Sequence, residues 1–428
     1  EGQQALRDQR PPGRTAMSSR KHALPSAEPS VRPNTHARQR AELATATKAT
    51  TPTEAAVLER ARTHNLPERL TLGLSLAAIE EAIAALPADA VEQCNAQRPT
   101  INGVRVEPNR ELNGYVNQWH VARASEADGL STCERLQQQG HPGVGVATIF
   151  VSWFLETPLS TLVDAMREYL RQHPDVPRDA KWWVCDFVIR QATRQLAAED
   201  NDVKKLGESV RSIGHTVLLM EPWHDPGPLK RAYCIKEVWH TQASGARFEV
   251  VMSAAQQESF ERALVKDFDF ISKRMAHVDV RNCECRNPKD TEHIKSELER
   301  EVGLLECNRQ VHGLLRDALA AQGGAALARL PAAERGTSAL INRLGGLLKD
   351  QGKLEEAVAL FREALQASRE TLGDKHPSTL ISINNLGGLL TDQGKLEEAG
   401  RLLREALQAQ GKLEEAGALY LEALQASR

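Results

Sequence analysis

Residues 344–368 read LGGLLKDQGKLEEAVALFREALQAS, and residues 386–410 read LGGLLTDQGKLEEAGRLLREALQAQ. The two copies are offset by 42 residues. A third, QGKLEEAGALYLEALQAS, starts at Gln410, only 17 residues after its counterpart at Gln393, and has lost its first helix. Self-similarity at such a period means stacked helical repeats, each unable to bury its apolar face alone. Gly352 and Gly394 break the chain between the first and second helix of each pair. The segment SRETLGDKHPST then separates the pairs, with Pro377 barring helix continuation.

Small residues recur where helices must approach closely, and large ones where a gap must be filled. In the first copy these are Leu344-Gly345, Leu348, Ala357, Phe361 and Ala364; in the second, Leu386-Gly387, Leu390, Ala399, Leu403 and Ala406. The third retains Ala416, Tyr420 and Ala423. The pattern resembles the tetratricopeptide repeat, in the longer form found in kinesin light chains. That resemblance implies a short all-α array whose concave face receives a protein or peptide partner. Asn342, Arg343, Asn384 and Asn385 lie just before the Leu-Gly pairs, where they either contact a bound peptide or hydrogen-bond between repeats. Two repeats and a half are near the minimum of about three for a stable array.

Upstream, from Val146 to about Val280, strand and helix signals alternate. VATIFVSW is an apolar run followed by the helical PLSTLVDAMREYLRQH; KWWVCDFVI is another, followed by a polar helical stretch ending near Ile213. HTVLLM precedes LKRAYCIKEVWHT, RFEVVM precedes AAQQESFERALVKDF, and HVDV reads as a short fifth strand. Continuous apolar runs joined by helices predict a doubly wound, parallel α/β sheet with helices on both faces. A helical connector follows, from about Asp290 to Gln322.

Phe150-Val151-Ser152 in the first strand, Ile213 to Met220 in a later one, and Tyr233-Cys234-Ile235-Lys236-Glu237-Val238 in the next helix occur in a meaningful order. They resemble a Toll/interleukin-receptor (TIR) domain, whose plant-type members open on a strand like FLSFRGED and later carry a WCLxEL helix. The resemblance implies a flavodoxin-like sheet. In enzymatic members the Glu of that helix is required to cleave the nicotinamide–ribose bond of NAD⁺. Carried over, the residue is Glu237, with Ser152 and Trp153 lining the pocket. The other reading is that Glu237 caps or salt-bridges a surface helix beside Lys236 and Arg231. The chain departs from the family in Trp153-Phe154-Leu155 after the first strand and in the Pro-rich EPWHDPGP before the helix. Trp182, Trp183, Trp223, Tyr233 and Trp239 read as core or as stacking faces at the sheet ends. His215, His224 and His240 have no acid partner at a diagnostic spacing.

Other chemistries find no support. There is no GxxxxGK[ST], no GxGxxG after a strand, no GxSxG and no HExxH. Cys283, Cys285 and Cys307, near His277 and His293, lack a second ligand pair and read as scattered thiols, so no metal is expected. The 428 residues are 41% hydrophobic, 26% charged and 4% aromatic, with formal net charge −3. That balance gives no reason to invoke nucleic acid or an anionic membrane. No run approaches the ~20 apolar residues of a membrane span. Seven cysteines, an odd number, fit a reducing, cytoplasmic setting. Glu1 stands where Met would open a full chain, and the reading allows for residues missing at either end.

The expected organisation is therefore a disordered basic tail (1–50; nine Lys/Arg against four Asp/Glu), a helical or irregular region (51–145) and a TIR-like α/β domain (146–285). A connector (286–335) and the tetratricopeptide repeats (336–428) complete it. Two functions compete. The first is an adaptor that binds proteins through its repeats and self-associates or docks through its α/β domain, without a cofactor. The second is an NAD⁺ hydrolase whose substrate is NAD⁺ and whose repeats serve assembly.

Overall fold

The computed structural model describes residues 51–101, 104–126, 128–191, 202–266, 268, 270–271, 273 and 278–409. The expected tail and the third repeat copy lie outside them. In chain order the elements begin with α1 (Glu54–Thr63), β1 (Leu72–Leu74), α2 (Leu76–Ala84), α3 (Ala90–Gln97), β2 (Thr100–Ile101) and β3 (Val104–Arg105). Next come α4 (Gly114–Ala124), α5 (Thr132–Gln138), β4 (Val144–Val146), β5 (Ile149–Ser152), α6 (Leu159–Gln172), β6 (Trp182–Trp183) and α7 (Cys185–Val188). Then follow α8 (Leu206–Ile213), β7 (His215–Leu219), α9 (Ala232–Ser244), β8 (Arg247–Val251) and α10 (Ala254–Lys266). The remainder is helical: α11 (Pro288–Glu301), α12 (Leu304–Arg329), α13 (Ala332–Arg335), α14 (Ala339–Asp350), α15 (Leu354–Leu372), α16 (Pro377–Asp392) and α17 (Leu396–Ala409).

Six strands form one sheet in the order β4-β1-β6-β5-β7-β8. β6, β5, β7 and β8 run parallel, with Phe150 opposite Trp183 and Thr216, and Leu218 opposite Val250. Every residue of β5 and β7 is buried, as expected for strands covered on both faces. The helix after β5 is amphipathic: Leu159, Leu162, Val163, Met166 and Leu170 all turn inward.

The sheet is mixed, which corrects the expectation of an all-parallel one. β1 pairs antiparallel with β4 and with β6, so the sheet draws on a segment that the sequence reading left helical or irregular. The reason is physical. Leu72-Gly73-Leu74 is too short to show any period, and Gly73 is needed for close approach, since a Cβ there would lie 2.6 Å from the Trp182 carbonyl oxygen. KWWVCDFVI also splits, into the two-residue β6 and the single turn α7. A short apolar run buried on all sides does not distinguish strand from helix. The fifth strand at HVDV is not formed: residues 278–279 pair with no strand, and Val280–Asn282 makes a 3₁₀ turn capped by Asp279.

α11 and α12 lie in the stretch between the last sheet helix and the repeats. α12 packs on α9 and on α14, so it occupies the position of a preceding repeat helix. α14 to α17 are two helical hairpins, which begin at Ala339 and Pro377, ahead of the sequence copies at Leu344 and Leu386. An apolar core continues from Leu218 and Val250 in the sheet through Leu315 and Leu319 of α12 to Ala399 and Ala406. A second core is built around Phe150, Val151, Trp182 and Trp183, successive strand residues that reach both faces of the sheet. Among the described residues no helix is long and apolar enough to cross a membrane.

Candidate functional site

β5 ends at Ser152, which is fully buried, and the chain then turns through Trp153-Phe154-Leu155. The turn is held by the Thr157 amide donating to the Phe154 carbonyl (2.8 Å) and by the Gly114 amide donating to the Leu155 carbonyl (2.9 Å). α9 lies across this strand end. Cys234 and Glu237, three residues apart, share its inward face. The Cys234 thiol donates to the Trp153 carbonyl (3.4 Å), and the Ser152 hydroxyl donates to Glu237 Oε2 (2.5 Å). Thr241, one turn on, has its hydroxyl 2.8 Å from both the Glu237 carbonyl and the Thr216 hydroxyl, with which it shares a hydrogen bond, and this fixes the helix against β7.

Glu237 is thus no surface cap; its residue is only 8% exposed. Burial pushes its carboxyl up to about 8, against the opposing pull of the Ser152 hydroxyl and Lys236. The outward face of α9 is covered by the connector. Lys236 Nζ meets Glu297 Oε2 at 2.6 Å, and Trp239 Nε1 donates to Gln310 at 3.1 Å.

Glu237 opens on a cavity of about 100 Å³, which Tyr115, Trp153, Phe154, Arg231 and Cys234 also line. Next to it lies a wider cleft of about 790 Å³, bordered by Glu156, Thr157, Glu221 and Lys230 and sharing Phe154 and Arg231. Both sit beyond the carboxyl ends of β5 and β7, where open α/β sheets receive ligands. Ser152, Trp153 and Glu237 are therefore brought together. Tyr115 and Arg286, which also reach this cavity, were not legible, because α4 and the connector carry no local signal that they dock on a strand end.

The groove residues divide. Asn342 Oδ1 accepts from Asn385 Nδ2 (3.3 Å), and Asn342 Nδ2 donates to Ser382 Oγ (3.4 Å), so these side chains join one repeat to the next. Asn384 is exposed and Arg343 half-buried on the same helices. Gly345 lies under the Phe361 ring and Gly387 under Leu403, with Ala357, Ala364, Ala399 and Ala406 buried at the helix crossings.

The histidines differ from expectation at one position. His215 does have an acid partner: its Nε2 lies 2.8 Å from Glu249, which also takes hydrogen bonds from Tyr169 (2.6 Å) and Arg247 (2.9 Å) and lies 3.2 Å from His173 Nε2. The cluster sits at the amino edge of the sheet, away from the cavity. Burial pushes Glu249 up, but hydrogen bonds from the two histidines outweigh it and hold the carboxyl well below the usual range. Burial, with Arg211 and Lys236 nearby, pushes His240 down to about 3. Trp182 and Trp183 are fully buried core residues. Among the described residues no group of three His, Cys, Asp or Glu is gathered to hold a metal; His277 lies outside them.

A family model of the tetratricopeptide repeat matches residues 336–410. The chain therefore contains tetratricopeptide repeats, in the two hairpins α14–α15 and α16–α17. A comparison with curated proteins gives no match.

Proposed function

We propose that the protein is an interaction scaffold whose tetratricopeptide helices hold a protein or peptide segment and whose sheet domain is a TIR-like signalling module. The match over residues 336–410 carries this reading, because stacked helical repeats are extended interaction surfaces. The 42-residue offset supports likeness to the kinesin-light-chain form of the repeat. The four parallel strands stand in the order second, first, third, fourth, which supports a flavodoxin-like, TIR-like sheet. A peptide array probed with the full chain tests the reading. Binders whose affinity falls on Asn384→Ala support it; no binders, or binders indifferent to every groove substitution, remove it.

One observation favours a second reading as an NAD⁺ hydrolase. Glu237, held by the Ser152 hydroxyl at 2.5 Å, lines a cavity at the end of the first parallel strand. A carboxyl there can hold ribose hydroxyls, and in its ionised form it stabilises oxocarbenium-like charge. The covered outer face of α9 favours the scaffold; the cavity on its inner face favours the enzyme. Nicotinamide release by full chain at high concentration, where self-association is favoured, separates them.

A further inference from the structure

The walls of the cavity at Glu237 carry two arginines that nothing described so far uses. Arg231 Cζ stands 5.3 Å from the centre of the Phe154 ring, and Arg286 Cζ 4.3 Å from that of Tyr115. Stacking of this kind holds a guanidinium flat and leaves its edge N–H groups for a planar anion. Arg231 Nη2 spends one hydrogen bond on the Tyr115 hydroxyl (3.3 Å), and Arg286 Nη2 one on the Arg105 carbonyl (2.7 Å). Arg286 Nη1 and Trp153 Nε1 are buried without a hydrogen-bond partner among the described residues, and Trp153 is only 4% exposed. Buried donors without partners are rare and costly. Here they belong to two residues that line one cavity.

We infer that this cavity binds a small organic anion, a single planar ring bearing one carboxylate, with the carboxylate on Arg231 and Arg286 and the ring among Trp153, Phe154 and Tyr115. Size sets the upper bound. A space of about 100 Å³ takes one six-membered ring with a small substituent, and a nucleotide would have to extend into the neighbouring cleft. Charge sets the sign. Burial raises the Glu237 carboxyl to about 8 and so disfavours its charge, while two guanidinium groups stand in a lining whose other carboxyl is that of Asp290. A neutral ring of the same shape would leave both arginines and the indole N–H without an anionic acceptor.

The inference is independent of bond cleavage. Calorimetric titration of the full chain at pH 7 and low ionic strength with benzoate and with benzamide, its neutral isostere, tests it. Benzoate is expected to bind about tenfold or more tightly than benzamide, as charge-assisted hydrogen bonds exceed neutral ones. Arg286→Gln is expected to abolish that preference. No benzoate binding, equal affinity for benzamide, or a preference that survives in a folded Arg286→Gln protein overturns the inference. Where that variant does not fold, the benzoate-to-benzamide ratio of the unaltered chain decides alone. Benzoate binding without nicotinamide release keeps the pocket and removes the hydrolase; release without benzoate binding does the reverse.

Discussion

A methyl group placed on Gly345 would fall 2.5 Å from Cε1 of Phe361, so the first helix of the leading repeat sits directly on the ring of the second. The same crossing recurs at Gly387 and Leu403, where the distance is 2.9 Å. Gly345→Ala is therefore expected to overpack the hairpin by ~1–3 kcal/mol, and Ala357→Leu or Ala399→Leu to cost a similar amount. Urea midpoints check this. Unchanged midpoints for all three would mean that the helices do not cross as described.

If the hydrolase reading holds, Glu237→Gln keeps the size of the side chain and its contact with Ser152 while removing its ability to carry charge. Nicotinamide release should then fall by ~10²–10³, with folding retained. Equal release by variant and parent refutes the catalytic role.

The same residue gives stability a pH dependence of known sign. Its carboxyl titrates near 4.5 in the unfolded chain and at about 8 in the folded one, pushed up by burial against the hydroxyl of Ser152 and the ammonium of Lys236. Between those values the folded chain holds the extra proton, so this group's contribution is full below about 4.5 and is lost as pH rises through 8. Glu237→Gln should flatten the stability profile between pH 5 and 8. A slope identical to that of the parent counts against the assignment.

Asn342 and Asn384 should separate structure from binding. Asn342 bridges the two repeats, so Asn342→Ala should lower stability by about 0.5–1.5 kcal/mol. Asn384 is exposed, and its loss should leave the melting curve in place while weakening peptide capture. Identical behaviour of the two variants in both assays would contradict this division.

Lys236 and Glu297 tie α9 to the connector with side chains only 11% and 19% exposed. Lys236→Met alone leaves a poorly solvated carboxylate and should cost ~3–5 kcal/mol. Adding Glu297→Leu should recover most of that. A double variant no more stable than the single one would show that the pair is not what the site depends on.

The repeats were legible because identical residues recur in register, and the tetratricopeptide match covers both hairpins. Strands β5, β7 and β8 were legible as apolar runs between helices. β1 was not, since three residues carry no period and its role depends on Gly73 admitting the Trp182 backbone. The pairing of Asn342 with Asn385 stood as one of two readings, because amides serve either purpose. The partnership of His215 with Glu249 is a neighbour relation across parallel strands, invisible to any spacing along the chain.

The apolar interior that passes without a break from Leu218 through Leu315 to Ala406 leaves no joint between sheet and repeats. A tug on whatever the repeats grip is delivered through α12 straight to the helix that carries Glu237, as through a crank and not a tether. Heat should melt the two regions in one cooperative step, and cutting the chain before Ala339 would strip the cover from Leu319 and Leu327 of α12.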